Sequence, residues 1–165
     1  MVKIITAPEK IGKDGYMLFL AGGITDCDNW QKVVQYELCR IFKNDSLIIL
    51  NPRRDNFPID DPAAAVEQVT WEFNALEKCD MFSMYFAGGK SDQPICMYEY
   101  GRHLAKLGES KYNLDTFVVT ACKEYKRYNG VIIQTRLVNN RIVVNSTLDE
   151  HINTIVDKLN KVFRK

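Results

Sequence analysis

The chain has 165 residues, 46% of them hydrophobic and 26% charged, with a formal net charge of +1 at pH 7. That length fits one domain, residues 1–165, able to bury roughly two thirds of its unfolded surface. The near-zero charge argues against a broad grip on a nucleic-acid polymer or an anionic membrane, and no stretch has the length and apolarity of a membrane span.

The opening segment Met1 to Pro8 lacks a signal-peptide pattern. Val2-Lys-Ile-Ile-Thr6 reads as a possible edge strand. Tyr16-Met-Leu-Phe-Leu-Ala21 is a short apolar run ending in Gly22-Gly23, which fits a buried strand and a tight turn. Thr25 to Asn29 supplies N-cap candidates, after which Trp30, Val33, Val34, Leu38, Ile41 and Phe42 recur at helical spacing. Leu47-Ile-Ile-Leu50 is a second buried strand, closed by Asn51-Pro52.

Pro62 is a natural first helical residue, and the helix is expected over Ala63 to Lys78. Met81-Phe-Ser-Met-Tyr-Phe86 is a third core strand, and Pro94 opens a helix for which Gly108 is a stop signal. Thr116 to Ala121 and Arg141 to Asn145 read as the fourth and fifth strands, and Leu148 to Phe163 as a closing amphipathic helix. Strands alternating with helices predict an α/β fold: a Rossmann-like or flavodoxin-like, mostly parallel five-stranded sheet with helices on both faces.

In such a sheet the loops after the strands form one rim, where small molecules bind. Glu99 falls early in a helix that follows a buried strand, so its carboxylate stands near that rim. A carboxylate there can attack a sugar carbon and form a covalent glycosyl intermediate; a solvated helical Glu is the alternative. Gly22 and Gly23 permit close backbone approach, or simply make a turn; they match neither a dinucleotide nor a phosphate-loop motif. Arg53 and Arg54 can clamp a phosphate through their planar forks, or pair with Asp55, Asp60 or Asp61. Trp71 reads as core or as a base-stacking surface, and Glu72 as solvated or functional. Asp92, in the Gly-rich loop, can orient a substrate amide or donate a proton, or serve as a turn residue.

The five cysteines (Cys27, Cys39, Cys79, Cys96 and Cys122) are odd in number and never spaced as CxxC. Cys39, Cys79 and Cys122 lie in apolar neighbourhoods and read as core. With only His103 and His151 besides, neither a metal site nor a disulfide framework is indicated, and the expected setting is reduced and cytoplasmic.

Taken together, the blocks Phe19 to Thr25 with Trp30-Gln31, Asn51-Pro-Arg-Arg54 with Phe57-Pro58, Thr70-Trp-Glu-Phe73, Cys79-Asp80, Pro94-Ile95 with Tyr98-Glu-Tyr-Gly101, Tyr125 to Arg127, and Ile133-Gln-Thr135 resemble the nucleoside 2-deoxyribosyltransferase superfamily. The resemblance is to its nucleoside 2-deoxyribosyltransferase-like branch, and the blocks run in family order. It implies that Glu99, in Glu99-Tyr100-Gly101, is the nucleophile. It also implies that Glu72 and Asp92 are acidic groups near the base. Gly22, Gly23, Thr25, Asn51, Arg53, Arg54, Trp71 and Gln93 are the implied substrate-binding residues.

The expected reaction is cleavage or transfer at the N-glycosidic bond of a 2′-deoxynucleoside. The rivals are a nucleoside 5′-monophosphate N-glycosidase and a non-catalytic nucleotide-binding module. The implied partners are a nucleoside or nucleotide and a free nucleobase. A homo-oligomer is expected, no cofactor or metal is implied, and neither a nucleic-acid polymer nor a membrane is expected as a partner.

Overall fold

The computed structural model describes residues 1–12, 14–107 and 113–164. Gly108, the expected helix stop, lies outside the described residues. The chain order is β1 (Lys3–Thr6), β2 (Tyr16–Gly22), α1 (Trp30–Ile41), β3 (Leu47–Asn51), α2 (Pro62–Lys78), β4 (Met81–Phe86), α3 (Pro94–Ala105), β5 (Phe117–Ala121), α4 (Tyr128–Val138), β6 (Val144–Asn145) and α5 (Leu148–Phe163).

The strands form a single sheet in the order β1-β3-β2-β4-β5-β6, and every neighbouring pair is parallel. The sheet therefore has six strands rather than the expected five. The additional one is β1, whose residues Lys3 to Thr6 pair with Ile48 to Asn51. Its one-sided edge position explains the weak sequence signal: Lys3 and Ile4 are exposed, and only Ile5 is buried.

β2, β3, β4 and β5 are buried almost throughout, as strands covered on both faces must be. One face packs against Trp71, Ala75 and Leu76 of α2, Cys96, Tyr100 and Leu104 of α3, and Val131 of α4. The other packs against Trp30, Val34 and Leu38 of α1 and Ile152, Ile155 and Leu159 of α5. Helices thus cover both faces.

The helix starts follow the chain's own punctuation. The Asn29 side chain caps α1 by accepting from the Lys32 amide, and Asp61 caps α2 ahead of Pro62. Thr147 and Glu150 make a reciprocal capping box on α5. α4 had no expected counterpart, because only Val131 and Thr135 of that helix are buried. β6 covers two residues instead of the expected Arg141 to Asn145, since Ile142 is used in a turn, its amide donating to the Asn139 carbonyl. Of the cysteines expected in the core, Cys79 and Cys122 are buried and Cys39 is half-buried. All five cysteines are free.

His151 of α5 is fully buried, its Nδ1 2.8 Å from Thr120 Oγ1 and its Nε2 without a partner among the described residues. Burial drives its pKa down to about 3. The unfolded chain therefore binds a proton that the folded one refuses, so stability is lost as pH falls from about 6.5 toward 3. Replacing His151 with Gln should flatten the fall in melting temperature between pH 6.5 and 4. An unchanged slope would assign the acid sensitivity to other groups.

Candidate active site

β2 is the point at which the strand order reverses: β3 lies on one side of it and β4 on the other. A crevice forms beyond the carboxyl ends of strands at such a point. Here it holds a cleft of about 230 Å³, whose lining includes Gly22 to Thr25 after β2, Pro52 after β3, Glu72 of α2, Ser91 and Gln93 before α3, and Cys96 and Glu99 of α3. A second hollow of about 210 Å³ shares Ile24, Thr25, Pro52 and Glu72 with it and extends the cleft outward to Arg54, Phe57 and Gln68. No helix among the described residues is long and apolar enough to cross a membrane.

The turn after β2 is shaped by two glycines. Gly22 has φ +151°, and a Cβ there would run into the Tyr85 carbonyl and the Trp30 ring. A Cβ on Gly23 would fall 2.5 Å from Gln93 Oε1 and 2.7 Å from Cys27 Sγ. The glycines thus let the start of α3 close down on the end of β2. Gln93 secures that contact from the other side: Oε1 accepts from the Ala87 amide at 3.2 Å, and Nε2 donates to the Ala87 carbonyl at 2.7 Å. Its left-handed backbone, φ 48°, turns the chain into α3.

Glu99 is only 8% exposed, and its carboxyl makes no hydrogen bond among the described residues. Burial, and then the neighbouring Glu72 carboxyl, push its pKa up to about 8, while Arg102 pulls the other way. Glu72 is raised too, chiefly by burial, with a hydrogen bond from Gln68 opposing. Two acidic side chains from different helices therefore share one cleft and compete for ionisation, the physical signature of an acid and a base built from like groups.

The remaining predicted residues separate into those at the cleft and those that hold it. Thr25 and Gln93 line it. Trp71 does not: it packs on Phe19 in the core, and its indole N–H donates to the Glu9 carbonyl at 2.7 Å. Asn51 caps the turn after β3, accepting from the Arg53 amide at 3.0 Å. Arg53 is a strut, donating to the Asp28 and Cys27 carbonyls and to Gln31 Oε1. Replacing Arg53 with Met should therefore lower stability by about 1–2 kcal/mol in urea unfolding, and unaltered stability would count against the strut.

Arg54, by contrast, reaches the outer cleft, where it lies over the Phe57 ring and donates to Glu67 at 3.1 Å. Asp92 stands outside the cleft lining, its exposed carboxylate 3.2 Å from Lys126 Nζ and its carbonyl accepting from the Tyr125 hydroxyl. Cys96, Ser91 and Gln68 were not singled out by the sequence; the four-residue spacing of Gln68 and Glu72 allows the two to meet on one helix face but does not show that this face lines the cleft. Among the described residues no group of three or more His, Cys, Asp or Glu side chains is arranged to hold a metal ion.

A parallel α/β sheet with one buried and one half-buried carboxyl in its switch-point cleft is an arrangement in which acid–base or covalent chemistry is physically available. The chain belongs to the nucleoside 2-deoxyribosyltransferase-like family: the model of that description matches residues 15–115, a span that contains both acids and the glycine turn. A search of curated proteins returned no match.

Proposed function

We propose that the protein is an enzyme of the N-glycosidic bond of 2′-deoxynucleosides, working through a covalent intermediate on Glu99. The observation that carries this reading is the meeting of Glu99 and Glu72 in one cleft, within a chain of this family. In the first step a Glu99 carboxylate oxygen bonds to C1′ as the C1′–N bond breaks. The bonding pair leaves with the base nitrogen, and the base takes up a proton from Glu72. Positive charge develops on the sugar in between, and an ionised Glu99 stabilises it. In the second step another base attacks C1′, releases the Glu99 carboxylate and returns a proton to Glu72. Water attacking instead of a base gives hydrolysis.

Asp92, facing Lys126 outside the cleft lining, has no part in these steps. Incubation of a 2′-deoxynucleoside with a second free base tests the reading. A new deoxynucleoside marks transfer, free base with free sugar marks hydrolysis, and neither product across the common bases contradicts it.

The acid pair also sets a pH dependence. The reactive form holds one proton, with Glu72 neutral and Glu99 ionised; it is the minor of the two singly protonated arrangements, because Glu99 is raised further than Glu72, and the pair titrates as a unit. With Glu99 raised to about 8 and Glu72 above its ordinary value, kcat/KM should trace a bell. Its acid limb should lie above the usual carboxylate range, and its alkaline limb near pH 8. A flat profile from pH 5 to 9 would contradict the assignment.

Arg54 supports a second reading, a nucleoside 5′-monophosphate substrate, because its guanidinium lines the outer cleft. On that reading Arg54→Met weakens the monophosphate far more than the nucleoside; an equal effect on both removes it. We further read residues 1–165 as one domain acting as a homo-oligomer. The exposed Val66 and Val69 on α2 and the nearby Ile59 support the latter, and light scattering tests it.

A further inference from the structure

Gln68 lies one helical turn before Glu72 and lines the outer cleft with it. Its amide nitrogen donates to the Pro52 carbonyl at 2.7 Å and to Glu72 Oε1 at 2.8 Å. A primary amide has two N–H donors, so both are used. The Pro52 carbonyl only accepts, which fixes the orientation of the amide: a flip would set two oxygens against each other. The consequence is a buried Gln68 Oε1 with no partner among the described residues, an unfavourable state. Glu72 has no other hydrogen bond among the described residues.

We propose that Gln68 is a positioning residue: its amide, anchored on the sheet rim at Pro52, holds Oε1 of Glu72 and leaves Oε2 as the oxygen that meets the ligand. The significance of this for catalysis rests on the reading of Glu72 as the proton donor. The same bond favours the ionised carboxylate. It therefore counters burial and the groups that share the cleft with Glu72 from α3, Glu99 and Cys96. Arg54, from the loop after β3, is the cation on the same side. A Glu72 without Gln68 would hold its proton more tightly and present either oxygen to the cleft.

The test is a carbon-13 titration of the Glu72 carboxyl in the wild type and in two variants, with the resonance assigned by Glu72→Gln. Gln68→Met removes the donors and should raise the midpoint by about one pH unit. Gln68→Lys supplies an ammonium that can donate to the same two oxygens and should lower it. Opposite shifts from the two variants are not produced by a loss of packing, which would move both the same way. An unmoved midpoint in both variants, or shifts of the same sign, overturns the inference. The pH profile of kcat/KM is recorded alongside. If the midpoint moves in opposite directions as expected while the profile stays fixed, positioning by Gln68 stands and the role of Glu72 as proton donor falls.

Discussion

Glu99→Gln is expected to reduce turnover by about a thousandfold or more, because an amide cannot form the ester on which both chemical steps depend. The same substitution should stabilise the protein at alkaline pH. Glu99 sits 8% exposed in a site that pushes its pKa from 4.5 up to about 8. The folded protein thus binds its proton more tightly than the unfolded chain does. That contribution is fully present below about pH 4.5 and is lost as pH rises toward 8. Removing the charge should therefore raise stability above pH 8 by roughly 2–4 kcal/mol and change little near pH 4. Urea unfolding at both pH values checks this. A variant that loses activity and also stability at pH 8 would mean that Glu99 supports the fold rather than the chemistry.

The second large effect is expected at Gly22. Its φ of +151° is strained for any other residue, and a Cβ would meet the Tyr85 carbonyl of β4 and the Trp30 ring of α1. The Tyr85 carbonyl, which accepts from the Gly23 amide, cannot move without parting β2 from β4, and the Trp30 ring is held by its N–H bond to the Gly23 carbonyl. Gly22→Ala should therefore cost about 2–4 kcal/mol in unfolding free energy. Gly23→Ala meets only the ends of two side chains, Gln93 and Cys27, which can swing away. It should be milder for stability, and it should disturb the cleft by breaking the bonds between Gln93 and Ala87. Equal losses of stability in the two variants would show that the turn, rather than the contact with β4, sets the requirement.

How much of this could be read from the residues follows from what each residue's role depends on. α5 was legible because one face carries Ile152, Ile155 and Leu159 into the core. α2 and α3 announced themselves through Pro62 and Pro94. α4 did not, since Ile133, Leu137 and Val138 are exposed and blur its periodicity. β1 was faint because an edge strand buries only one side.

Within the site, Glu99 and the glycine turn depend on position along the chain, which a sequence displays. The distinction between Arg53 and Arg54 does not. Their types are identical and adjacent, but Arg53 turns back onto the loop before α1 and Arg54 turns outward to the cleft. The resemblance points to Asp92 as an acidic group near the base, yet the left-handed turn at Gln93 directs Gln93 rather than Asp92 into the cleft. Gln68 could be recognised only once β3 had brought Pro52 beside α2.

The most direct test of the central claim is mass spectrometry of the protein quenched during turnover of a 2′-deoxynucleoside. A deoxyribosyl group on the peptide that contains Glu99, absent from the Glu99→Gln variant, is the result expected here. Turnover with no adduct on that peptide, or an adduct that persists in Glu99→Gln, would contradict a covalent mechanism at this residue.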